Sequence, residues 1–179
     1  MDFKALYTTT DGRISRQTWW IGAVILGVTN IVITLLILPI FGLGMPDMAK
    51  LAAGGADAAA ISAALSGAMQ GAAWGSLVVF VLMAYPAYCL SVKRRHDKNN
   101  AGQDVLIYFG LTLVLLLVQA LGFGYTMGEI GGISVPQPSA VYMVLGLIAG
   151  IFGIYMLVVL GFLKGTAGQN DFGPDPLGG

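Results

Sequence analysis

Charge is what this chain has least of. Only 10% of its 179 residues are charged, while 56% are hydrophobic; soluble domains carry roughly 25% charged residues. So little charge would leave a soluble surface poorly hydrated, which excludes an ordinary globular protein. Cysteine is nearly absent too. Cys89 stands alone, which excludes an internal disulfide and a cysteine-rich metal site, and it reads as a small buried hydrophobe. A single histidine, His96, gives no basis for a zinc-type ligand set. Neither a metal nor a cofactor is expected. Nucleic acid is not an expected partner, and although the net charge is zero, the placement of the charges matters more than their sum. Residues 1–20 are mostly polar and precede an apolar run of over twenty residues. A signal-peptide apolar region is roughly 7–15 residues, so the first run reads as a retained span.

What the chain does have is four long uncharged apolar runs, at about 20–43, 74–92, 105–123 and 141–163. A bilayer core of about 30 Å needs about 20 helical residues at 1.5 Å each. In lipid the backbone must satisfy its own hydrogen bonds, so each run is expected to be a helix. The alternating ten-residue segments of a barrel are not seen. The expected fold is all-α, a four-helix transmembrane bundle forming one membrane domain over residues 1–179, with an N-tail at 1–19 and a C-tail at 164–179.

Between the first two runs, residues 44–73 are rich in Ala and Gly and carry Asp47, Lys50 and Asp57. Ile61, Leu65 and Met69 at four-residue spacing, after Asp57 as an N-cap, allow a weak surface helix or an extension of the second span; a plain spacer is the simpler expectation. Residues 124–139 hold Gly131-Gly132 and the Pro136/Pro138 pair and read as a turn-rich connection. Eight of the nine basic residues fall in the N-tail, the loop after span two and the C-tail, which share one side of a four-span chain; only Lys50 is opposite. This bias places both termini in the cytoplasm. Trp19, Trp20 and Trp74 flank span starts as interfacial aromatics do. Within the spans Asn30 and Gln119 are the costliest groups to leave facing lipid, and are expected to turn inward. Gly146, Gly150 and Gly153 offer a face for close helix approach, and with it self-association. Pro86 should bend span two.

Three polar motifs share the basic side. They are Gly12-Arg13-Ile14-Ser15-Arg16 with Trp19 and Trp20, then Arg94-Arg95-His96-Asp97, then Gly168-Gln169-Asn170-Asp171-Phe172-Gly173-Pro174-Asp175-Pro176. Together they resemble the bacterial inner-membrane family called domain-of-unknown-function family 805, over nearly the whole chain. The resemblance implies a bacterial cytoplasmic membrane and says little about activity. The chain departs from that family after Gly102, where Gln103 and Asp104 replace the usual tryptophans.

Candidate contacts for an anion or a structural network are Arg13, Arg16, Arg94, Arg95, His96, Asp97, Asn170, Phe172 and Asp175. The Gly-Pro-Asp-Pro restraint predicts a tail that folds back onto the other two motifs, with Phe172 as apolar anchor and Asp175 paired to Arg13, Arg94 or Arg95. No residue set reads as a catalytic centre. The leading expectation is a non-enzymatic membrane protein whose basic cytoplasmic face meets anionic lipid head groups or a protein partner. Alternatives are a transporter or channel for a small solute, lined by Asn30 and Gln119, and a lipid- or phosphate-acting enzyme using His96 and Asp97.

Overall fold

The structure, a computed structural model, describes residues 2–37, 39, 54–55, 57–130 and 133–178. The expected end of span one (38 and 40–43), Asp47, Lys50 and Gly131-Gly132 lie outside the described residues. Four helices are long and apolar enough to cross a membrane: Arg16–Leu36, Ala58–His96, Gln103–Ala120 and Ala140–Phe162. The chain is a mostly helical membrane protein, as its apolar runs require.

The elements are α1 (Phe3–Thr8), α2 (Arg16–Val32, continuing as a π-helical turn over Ile33–Ile37), α3 (Ala58–His96), α4 (Gln103–Ala120), β1 (Tyr125–Ile130), β2 (Ile133–Pro138) and α5 (Ala140–Leu157, ending in a π-helical turn over Val158–Phe162). Local chemistry sets most of their ends. Ser15 caps α2: its Oγ accepts from Thr18 N at 3.2 Å. Asp57 caps α3 by accepting from Ala60 N at 2.8 Å, and Ser139 caps α5 by accepting from Tyr142 N at 3.2 Å. Each satisfies an N–H that a helix start leaves without an intrahelical partner. At the other end of α3, Asn99 takes a left-handed φ of 54°. Asn99 N donates to His96 O at 2.9 Å and Asn100 N to Arg95 O at 3.1 Å. That pair of bonds is the Schellman closure.

Two features differ from the sequence reading. Residues 58–73 are not a spacer but the first part of α3, whose 39 residues span about 58 Å at 1.5 Å each. Ala-rich sequence behind an Asp cap favours helix enough to continue the span outward. Residues 125–130 and 133–138 form an antiparallel strand pair, with Tyr125 opposite Pro138 and Gly128 opposite Val135. The prolines fit because both strands of a two-stranded sheet are edges, where an N–H can be spared.

The chain divides into two compact units. Unit 1 comprises Met1–Ile31, Phe80–Leu111 and Ala149–Gly179; unit 2 comprises Val32–Val79 and Thr112–Ile148. The core of unit 1 is Leu6, Trp19, Leu90, Val92, Val105, Met156 and Leu160. Glycines let its elements close. A Cβ at Gly22 would strike the Leu90 side chain at 2.6 Å, and one at Gly153 would crowd the Tyr108 hydroxyl at 3.2 Å. Gly146 and Gly150 have open space instead. Unit 2 holds the strand pair and the Ala-rich start of α3, where Gln70 Nε2 donates to Ala120 O at 3.3 Å.

Two hydroxyls in the spans are met locally. Thr29 donates to Ile25 O and Ser76 to Ala72 O, both at 2.9 Å, each four residues back on its own helix. Asn30 does not turn inward as expected. It lies in an exposed stretch of α2, and Gln119 is half-buried.

Candidate functional site

All three polar motifs belong to unit 1, and Asp97 is their centre. Arg13 donates to Asp97 Oδ1 from Nε at 3.2 Å and from Nη2 at 3.0 Å. Arg94 Nη1 donates to Asp97 Oδ2. The side chains of Arg13 and Arg94 are 1% and 0% exposed. Charges so buried are stable only when paired and when their remaining donors find acceptors. Arg13 meets that condition with tail carbonyls: Nη1 donates to Gly168 O at 2.7 Å and Gly173 O at 3.2 Å, and Nη2 to Thr166 O at 2.7 Å. Arg94 Nε donates to Leu160 O at 2.9 Å, and its Nη2 to Leu163 O.

The end of α5 supplies the acceptors. A helix terminus leaves its last carbonyls without intrahelical donors. Leu160 and Leu163 carbonyls accept from Arg94, Gly161 O from Trp20 Nε1 at 3.0 Å, and Phe162 O from Arg16 Nη1 at 3.0 Å. Two guanidiniums at this negative end of the helix dipole add a favourable charge interaction.

The tail then folds over Asp97. Thr166 N and Oγ1 donate to Asp97 O at 2.8 and 3.1 Å. A Cβ at Gly165 would overlap the Asp97 carboxylate, so this position admits only glycine without a shift. Asn170 and Gly173 exchange backbone hydrogen bonds at 3.1 Å each. Asn170 Oδ1 accepts from Phe172 N at 2.9 Å, and its Nδ2 donates to His96 O at 2.9 Å. This tight loop presents Phe172 flat against His96, with ring centroids 3.9 Å apart and planes 9° from parallel. His96 Nδ1–H donates to Gly12 O at 3.1 Å. The acceptor is a carbonyl, so the proton sits on Nδ1.

The family model described as proteins of unknown function, DUF805, matches residues 7–174. The chain belongs to the DUF805 family. No curated protein and no solved structure matches it. The DUF805 region runs from Tyr7, whose hydroxyl donates to Gly22 O at 3.1 Å, to Pro174. All three motifs except the final Asp175-Pro176 therefore lie inside it.

In this DUF805 chain Arg13, Arg94, His96, Asp97, Asn170 and Phe172 come together in one network. Arg95 turns away to form a two-pronged pair with Asp104, at 3.1 Å from Nε and 2.9 Å from Nη2; Tyr155 Oη also donates to Asp104, at 2.9 Å. The expected pairing of Asp175 with an arginine is replaced. Asp97 and Asp104 take the arginines, while Asp175 accepts from Gly168 N at 3.0 Å and Leu177 N at 2.9 Å. The tail reaches Arg13 through its carbonyls, which turns Asp175 back onto its own loop. The N–H groups of Leu177 and Gly168 hold the Asp175 carboxyl below its ordinary range. Burial pushes the Lys98 ammonium down, and nearby Arg95 and Arg94 act in the same direction. Lys93 Nζ donates to Ala5 O and ties α1 to α3.

Sequence reasoning missed the structural roles of Gly165, Thr166, Asp104 and Tyr155. Asp104, an acid in the first turn of α4 a short loop beyond a run of arginines, was the one signal in reach. Beside the network lies an open groove of about 280 Å³ lined by Ser15, Arg16, Arg94, Lys164, Thr166 and Asp175 among others. Among the described residues no three His, Cys, Asp or Glu side chains stand together as a metal site.

Proposed function

We propose that this DUF805 protein is a non-enzymatic, multi-pass protein of a bacterial inner membrane, with both termini cytoplasmic, whose polar cap presents basic side chains to anionic lipid. The observation that supports it is the division of labour among the cations. Arg13, Arg94, Arg95 and Lys93 are consumed in buried contacts. Lys4, Arg16 and Lys164 stay exposed on segments the buried network helps to hold. A fixed set of exposed cations beside a tryptophan belt suits the head-group layer, where each is worth about 1 kcal/mol against an anionic surface.

The orientation rests on the basic bias, eight of nine Lys and Arg toward one side. The non-catalytic reading is supported by His96 and Asp97. The imidazole is stacked and anchored through Nδ1, and both Asp97 carboxylate oxygens are held by arginines, so the carboxylate that an acid–base pair would need is engaged elsewhere.

Native mass spectrometry of the full chain extracted with its lipids tests the reading. Retained anionic phospholipid in preference to zwitterionic lipid is the expected result. A stoichiometric protein on the same face, with no lipid preference, would replace it. Reporter fusions at the C-terminus and between residues 130 and 133 check the orientation: the first should report cytoplasm and the second the opposite side.

A further inference from the structure

Both carboxylates of the groove beside Asp97 are already engaged: Asp97 by two arginines, Asp175 by two backbone N–H groups. Two of its cations have no carboxylate partner, though Arg16 Nη1 donates to the Phe162 carbonyl. Among the described residues neither Arg16 nor Lys164 has a carboxylate within ion-pairing distance, and both side chains are exposed. Ser15 and Thr166 add hydroxyls to the same wall. The groove therefore carries an excess of positive charge, on a wall fixed by a helix cap and by the folded tail.

Its depth is set by aromatics. Arg16 opens α2 and Lys164 follows the end of α5 at Phe162. Trp20 and Phe162 meet edge to face at 5.9 Å, both exposed. A second cavity, of about 390 Å³, shares Ser15, Arg16 and Leu177 with the first and runs past Trp20 and Gly161. Tryptophan at a span end marks head-group depth. Arg16 is common to both cavities, so a phosphate held by Arg16 and Lys164 would leave its ester chains beside Trp20 and Phe162.

We infer that the Arg16–Lys164 groove is a specific site for the phosphate of an anionic phospholipid, with Arg16 and Lys164 as its charge partners and Trp20 and Phe162 bordering the chains. The inference rests on the lipid-facing reading above and narrows it to one place. Arginine suits the role because its planar fork meets two phosphate oxygens at once.

The test uses the full-length protein in detergent, titrated with phosphatidylglycerol, phosphatidylcholine or inorganic phosphate and read by native mass spectrometry. Phosphatidylglycerol should bind and phosphatidylcholine should not. Lys164→Gln alone should weaken phosphatidylglycerol about fivefold, and Arg16→Gln with Lys164→Gln roughly thirtyfold. Lys98→Gln, outside the groove, should leave it unchanged. Lys164 makes no contact the fold depends on, so the single variant stays informative if the double variant misfolds. Unweakened binding by Lys164→Gln overturns this site while leaving the lipid-facing reading intact. No preference by the wild-type protein overturns both. Inorganic phosphate displacing the lipid at comparable concentration would assign the groove to a free anion and overturn the lipid assignment.

Discussion

The buried charged side chains described, Arg13, Lys93, Arg94, Arg95 and Asp97, all lie in unit 1, whereas the buried side chains described in unit 2 are Ala73, Val79, Ala120 and Ser139. Unit 1 is held by bonds that must all be made, because an unpartnered ion away from water is intolerable. Unit 2 is held by small apolar contacts and backbone pairing, and lipid tails compete well for such surfaces. Tolerance to substitution should therefore differ sharply between the two, and the difference can be measured.

The largest effect should come from Asp97→Ala. It strands two buried guanidiniums, and breaking a buried pair from one side costs about 3–5 kcal/mol. Denaturant unfolding in detergent should show that loss; a change under about 1 kcal/mol would mean the arginines escape to solvent and the cap is not a unit. Gly165→Val comes next. Its side chain must displace the Asp97 carboxylate or the tail, at about 1–3 kcal/mol for overpacking, with faster proteolysis after residue 163 as a second readout.

Those two sites also measure what the sequence disclosed. The spans, the capping role of Asp57 and the convergence of three motifs were all legible, because hydrophobic length and Gly-Pro punctuation are local signals. The centre of the network was less so. Asp97 was named beside His96 as a candidate acid–base pair, yet their neighbours in space, Arg13 and Phe172, are 84 and 76 residues away. No pattern of spacing encodes a carbonyl at Leu163 accepting from Arg94. The strand pair 125–130 and 133–138 escaped for a different reason: prolines usually argue against strands, and only a two-stranded sheet with no interior excuses them.

Smaller effects refine the comparison. Phe172→Ala removes a stacked ring worth about 1 kcal/mol beyond its area. It should raise amide exchange across 166–173 while leaving α3 protected. Protonating Asp175 should loosen the same loop. Its folded-state pKa is depressed, so its contribution is full above the ordinary carboxylate value of 3.8 and is lost as pH falls through the lower folded value. Exchange near residues 168 and 177 should thus be steady at neutral pH and rise in strong acid, and Asp175→Asn should remove that dependence. Smallest of all is Glu129→Ala in the unit 2 strand pair, expected to stay within about 0.5 kcal/mol. A loss as large as that of Asp97→Ala would end the contrast between the units.

The bonds from Arg13 to the carbonyls of Thr166, Gly168 and Gly173 bridge 153, 155 and 160 residues. On a ribosome adding about 5–20 residues per second, Arg13 emerges first and waits roughly 8–30 s for its last acceptors. Asp97 arrives midway and finds its arginines half satisfied. The cap can close only after α5 is in place: until Thr166 and the residues beyond it arrive, Arg13 has none of its tail acceptors.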